Sequence, residues 1–82
     1  QKNVTKFQYP VTDISIYQNC PKINSIGIDL LRTQNYEVLA GKESIEDVMF
    51  YNLDSEEQFK EQIEEISKYL ELSSYGCVGT KF

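Results

Sequence analysis

DSEEQFKEQIEEISKYLEL, residues 54–72, decides how the rest of the chain is read. Phe59, Ile63, Ile66 and Leu70 recur at i, i+4, i+7 and i+11, which places all four on one side of an α-helix. Asp54 stands in the N-cap position, and Glu57 three residues on completes a capping box. Glu56/Lys60 and Glu64/Lys68 are i, i+4 pairs in the favourable order. The stretch holds seven acids and two lysines, leaving six acids and six bases for the other 63 residues. The whole net charge of −5 therefore sits on one predicted helix. With Phe59 inward, Glu57, Glu61 and Glu64 point away from the core. Glu65 and Glu71 flank them, and Lys68 sits among them.

Working outward, Ser73-Ser74 end this helix, and 75–82 reads as a last strand loosened by Gly76 and Gly79. Upstream, 45–53 reads as a strand, strongest at Val48-Met49-Phe50-Tyr51, covered on one face and partly on the other. Gly41-Lys42 reads as a turn and 36–40 (YEVLA) as another strand. Before that, Pro21 suits the first position of a helix, because the amide it lacks would be unpaired there anyway. This puts Cys20 at an N-cap and predicts a helix to about Thr33, with Ile23, Ile26, Leu30 and Leu31 as its stripe. In 11–17, Ile14 and Ile16 alternate with Asp13 and Ser15, the pattern of a half-buried strand. Residues 1–10 form an edge strand or an arm. The predicted order is β-α-β-β-α-β, the split βαβ pattern of ferredoxin-like domains. The expected fold is one α+β domain over 1–82: a mostly antiparallel four-stranded sheet with both helices on one face.

A chain of 82 residues has room for one core. Hydrophobic residues at 40%, charged residues at 26% and ten aromatics are those of a folded, soluble protein. No apolar run approaches a membrane span. A pI near 4.6, with basic residues scattered singly and only Arg32 able to make a forked contact, argues against nucleic acid. An acidic surface favours basic partners, or simply serves solubility as a solvated helix face. The first residue is Gln1. The chain is secreted or periplasmic if a signal segment was removed ahead of it, and cytoplasmic otherwise. The sequon Asn3-Val4-Thr5 matters only on a eukaryotic secretory route.

Chemistry is sparse. With no His, neither Ser/His/Asp nor Cys/His catalysis is available, and two cysteines do not close a zinc site. Glycines 27, 41, 76 and 79 stand singly and make no phosphate loop. Glu43, Glu46 and Asp47 lack the ligand spacing of a calcium loop and read as solvated acids. No metal site, catalytic residue or cofactor is expected.

In the expected topology the first and last strands are antiparallel neighbours. Cys20 then lies beside Cys77, which allows a disulfide. Cys20 at a helix N-terminus would also be a lowered-pKa thiol. The strand–Cys20-Pro21–helix–strand order over residues 13–40 resembles the opening of a glutaredoxin, which implies thiol redox activity. It lacks a second cysteine at Ile23, a later cis-proline segment and a Gly-Gly after the third strand.

Three functions follow. The first is a non-catalytic, inhibitor- or immunity-type protein that meets a basic partner through Glu57, Glu61, Glu64, Glu65 and Lys68. The second is a secreted structural or adhesive domain stapled by Cys20–Cys77. The third is a redox protein using Cys20. Tyr36, Tyr51, Tyr69 and Tyr75 are candidate contact residues. An open edge, at the 36–40 strand or the amino-terminal arm, would let the sheet extend into a homodimer.

Overall fold

Ile23-x-x-Ile26-x-Ile28 and Ile45-x-x-Val48-x-Phe50 occupy matching positions in two parallel strands and the residues that lead into them, and this repetition organises the molecule. The computed structural model describes residues 4–31 and 35–78. Four strands, β1 (Lys6–Phe7), β2 (Ser25–Asp29), β3 (Asp47–Tyr51) and β4 (Ser74–Val78), form one sheet in sequential order, every pair parallel. Phe7 aligns with Ile26, Ile26 with Val48 and Val48 with Tyr75, while Ile28 aligns with Phe50 and Phe50 with Cys77. Three residues before these positions stand Val4, Ile23, Ile45 and Leu72. Each coil therefore carries an apolar residue at its first, fourth and sixth places. The intervals between coils lengthen from 19 to 22 to 27 residues.

Parallel neighbours require crossover connections, and three helical returns supply them. A 3-10 segment at Ile14–Asn19 joins β1 to β2, a second at Tyr36–Leu39 joins β2 to β3, and helix α1 (Glu56–Ile66) joins β3 to β4. Ile14, Tyr17, Tyr36, Leu39 and Ile66 from the returns share one core with Ile26, Ile28, Val48 and Phe50 from the sheet. Coil-to-coil hydrogen bonds tie the turns together. Ser44 Oγ donates to the carbonyl of Ile23 (2.7 Å), and Lys42 Nζ to that of Gln18 (3.0 Å). This is the architecture of a short solenoid, in which each unit is completed by its neighbours.

The expected antiparallel, two-helix fold is overturned at three places, each with a local cause. Residues 11–17 are not a strand: Asp13 Oδ1 accepts from the Ser15 amide (3.1 Å) and opens the first 3-10 segment. The buried period becomes three, so Ile14 is 3% exposed and Ile16 44%. Residues 36–40 are not a strand for the same reason, since Asn35 Oδ1 caps the Glu37 amide at 3.2 Å. Residues 21 onward are not a helix but lead into β2. The Ile26/Ile28 alternation, not the Ile23/Ile26 spacing, sets the conformation. The predicted end of that helix at Thr33, the Arg32 contact, Asn3 of the sequon and Gly79 lie outside the described residues.

Other expectations stand closer. The 45–53 strand is β3, whose side chains alternate buried and half-buried. Gly41, with φ +83, makes its turn. The strand expected from Tyr75 begins at Ser74. The long helix exists but is shorter at both ends. Its cap is Ser55, not Asp54: Ser55 Oγ accepts from the Gln58 amide (3.1 Å), while Gln58 Oε1 accepts from the Asp54 amide (2.6 Å). It stops at Ile66 because the chain must turn there for Leu70, buried, and Leu72, half-buried, to pack under the sheet ahead of β4.

Candidate functional site

Three surfaces gather the chemistry-bearing side chains: the outer side of α1, a polar row across the sheet, and the part of β2 beyond its short pairing with β1.

On α1, Phe59, Ile63 and Ile66 pack against the core, with Phe59 in edge contact with Phe50 and Tyr75. The Tyr36 hydroxyl donates to Gln62 Oε1 and anchors the helix to the preceding return. Burial, and then the Glu65 charge, hold the Tyr36 hydroxyl protonated well above the usual phenol range. Glu57, Glu61 and Glu64 are all exposed on the opposite side. Glu65 and Lys68 are also exposed and pair at 3.2 Å, so Lys68 joins the acid three residues back and not Glu64. The five predicted binding residues thus lie on one helix and its first following turn. Beyond them, Glu71 and Lys68 border a cleft of about 700 Å³ with Glu43, Glu46 and Tyr69, which carries the acidic surface round toward the loop before β3.

The polar row was not foreseen. Lys6, Ser25, Asp47 and Ser74 hold the same register position in the four strands. Ser25 Oγ donates to Asp47 Oδ2 (3.0 Å), and Ser74 Oγ donates to Asp47 Oδ1. The Ser74 bond, then that from Ser25 and the Lys6 charge, hold the Asp47 carboxyl below its ordinary range. Asp47 is therefore a hydrogen-bonded member of the sheet, while Glu43 and Glu46 of the same expected group are exposed. Only the register could reveal this, because these residues are 19, 22 and 27 apart in sequence.

At the margin of β2, Tyr17 inserts its hydroxyl where strand pairing with β1 ends. The hydroxyl donates to the Gly27 carbonyl (2.6 Å) and accepts from the Gly27 amide (3.1 Å). Burial raises its pKa to about 12, against the lowering effect of the Gly27 bond. The outer face of Gly27 is covered by the backbone of Gln8 and Tyr9, and the Tyr51 hydroxyl donates to the Gln8 carbonyl. Beside it, Asp29 Oδ1 accepts from the Leu31 amide (2.9 Å) and from Asn52 Nδ2 (3.0 Å). Asn52 has φ +64, a conformation Asn tolerates.

The two thiols do not meet. Cys20 is buried, Cys77 is exposed, and no disulfide joins them. The expected disulfide assumed that the first and last strands are neighbours, whereas β1 and β4 are opposite margins of the sheet. Cys20 closes the first 3-10 segment, its amide donating to the Tyr17 carbonyl at 3.1 Å, so the helix N-terminus that would have activated it does not exist. With it goes the structural basis of the glutaredoxin likeness. No cluster of three or more His, Cys, Asp or Glu side chains suited to a metal occurs among the described residues. No described helix is long and apolar enough to cross a membrane. No family model, curated protein or solved structure matches this chain.

Proposed function

We propose that the chain is a non-catalytic protein-binding module that presents the outer row of α1 to a basic protein, in the manner of an inhibitor or immunity-type protein. The observation carrying this reading is the state of Glu57, Glu61 and Glu64. All three are exposed on one side of a helix anchored beneath by Phe59, Ile63 and Ile66 and laterally by Tyr36–Gln62. The Lys68–Glu65 ion pair lies past the row's end, and Lys60, one turn from both Glu57 and Glu64, offsets the three carboxylates only in part. A preorganised row of like charge steers a basic partner and raises its on-rate more than its final affinity.

The architecture supports the same class. The apolar spacing of each coil resembles the strand segment of leucine-rich solenoids, whose stacked coils offer extended binding surfaces. Here Gln8 and Tyr9 cover part of the strand face, which favours the helical side as the open surface.

The test is salt-dependent binding. Immobilised protein should retain basic proteins at low ionic strength and release them by roughly 0.3 M salt, where screening shortens the reach of exposed charges. Reversing Glu57, Glu61 and Glu64 to Lys should abolish retention while leaving the far-ultraviolet circular dichroism unchanged. Retention that survives the triple reversal would assign the row to solvation alone.

A further inference from the structure

Residues 8–11 cross the outer face of β2 as a strap. β1 ends at Phe7, which aligns with Ile26, and the first 3-10 segment is capped at Asp13. Between those fixed points the backbone of Gln8 and Tyr9 lies against the outer side of Gly27. Hydrogen bonds from β3 and β2 fasten the strap down. The Tyr51 hydroxyl donates to the Gln8 carbonyl, and the Asp29 amide donates to the Val11 carbonyl (2.9 Å). Asp29 and Tyr51 are register partners, so the two fasteners belong to neighbouring strand ends.

Ser25 and Asp29 direct their amides to the β1 side, Ser25 to the Thr5 carbonyl (3.1 Å) and Asp29 to Val11. Strand backbone groups alternate in direction, so those of Gly27, midway, point the same way. The strap does not serve them. The Tyr17 hydroxyl reaches up from the first return, accepts from the Gly27 amide (3.1 Å) and donates to its carbonyl (2.6 Å). It also lies 3.4 Å from the Phe7 carbonyl oxygen, where the ladder breaks off. An amide and a carbonyl that depended on the strap would hold it down, because buried backbone groups left unpaired are costly. Here both keep their partner when the strap leaves. The strap's side chains add little: Tyr9 is 69% exposed, Pro10 is exposed, and Gln8 and Val11 are half-buried.

We infer that residues 8–11 open as a unit while the sheet stays closed, with the Tyr51 hydroxyl as the latch and the Tyr17 hydroxyl as the standing partner of Gly27. Lifting the strap uncovers the outer side of Gly27 and leaves the Tyr51 hydroxyl and the Asp29 amide open to solvent at adjacent strand ends. The strand face then becomes a second surface, apart from the acidic row of α1 and independent of what that row binds.

Native-state hydrogen exchange on the full chain, with urea held below the unfolding transition, tests this. After correction for intrinsic rates, the Asp29 amide should exchange roughly tenfold faster than the Gly27 amide or more. Urea should hardly change the Asp29 rate, because opening the strap exposes little surface. The Gly27 rate should climb steeply with urea, since its release requires the first coil to come apart. Ile23→Val, a change in the buried core, should speed exchange at Gly27 and leave Asp29 as it was. Tyr51→Phe removes the latch and should speed exchange at Asp29 about fivefold, the worth of one net hydrogen bond. Asp29 and Gly27 exchanging together at every urea concentration would overturn the inference. So would an Asp29 rate unmoved by Tyr51→Phe, or an Ile23→Val variant that speeds both amides alike.

Discussion

Gly27 and Tyr17 form the tightest residue-scale constraint in the molecule. A Cβ on Gly27 would lie 2.9 Å from the carbonyl carbon of Gln8 and closer still to the Tyr9 carbonyl oxygen, and backbone cannot step aside. Gly27→Ala should therefore cost about 3 kcal/mol, an overpacking penalty, read as a fall in the urea midpoint with unchanged slope. Tyr17→Phe leaves both the amide and the carbonyl of Gly27 buried without that partner, and should cost about 2–3 kcal/mol. The same hydroxyl predicts an alkaline limit. Its pKa rises from 10.0 in the unfolded chain to about 12 when folded, and Tyr36 shifts in the same direction. The folded state thus binds more protons than the unfolded one above pH 10. Stability from these groups is full below pH 10 and lost as pH rises through about 12. Urea midpoints measured from pH 8 to pH 12 should fall above pH 10, and Tyr17→Phe should flatten the decline.

At the scale of the element, short polar side chains decide where the returns begin. Asp13 and Asn35 open the two 3-10 segments and Ser55 opens α1, each by accepting from an amide two or three residues on. Ser55→Ala should destabilise the fold by about 1 kcal/mol, whereas Asp54→Ala, at the position the sequence pattern favours, should cost less. Differential scanning calorimetry on the two variants separates them. The displacement by one residue has a simple origin: DSEEQ offers two possible caps, Asp54 with Glu57 and Ser55 with Gln58. The second is used because β3 ends at Tyr51 and the turn through Asn52 and Leu53 has to bury Leu53 before the helix starts.

For the whole molecule, the stacked-coil arrangement makes stability a sum of coil-to-coil contacts, weakest at the two ends. Hydrogen exchange on the dilute protein should find the amides of β2 up to Ile28 and of β3 slowest and those of β1 and β4 faster by at least a factor of ten. Uniform protection across all four strands would contradict a stack with frayed ends. The acidic row on α1 is independent of this gradient, since it lies on the solvent side of a return.

The sequence by itself determined the elements whose signals are local. α1 has an uninterrupted apolar stripe from Phe59 to Ile66, β3 has a dense run at 48–51, and the acids of 54–72 are exposed wherever that helix is laid. Tertiary structure alone decided β2 and the two 3-10 returns. Ile23, Ile26 and Ile28 satisfy a helical period and a strand period over the same few residues, and Gly27 favours neither until Tyr9 is seen lying on it. Parallel pairing was equally hidden, since it rests on contacts between Phe7, Ile26, Val48 and Tyr75, whose separations of 19, 22 and 27 residues follow no fixed period. The site divides along the same line. The acids of α1 follow from helical geometry within one element, whereas the row at Asp47 exists only once strands from distant coils lie in register.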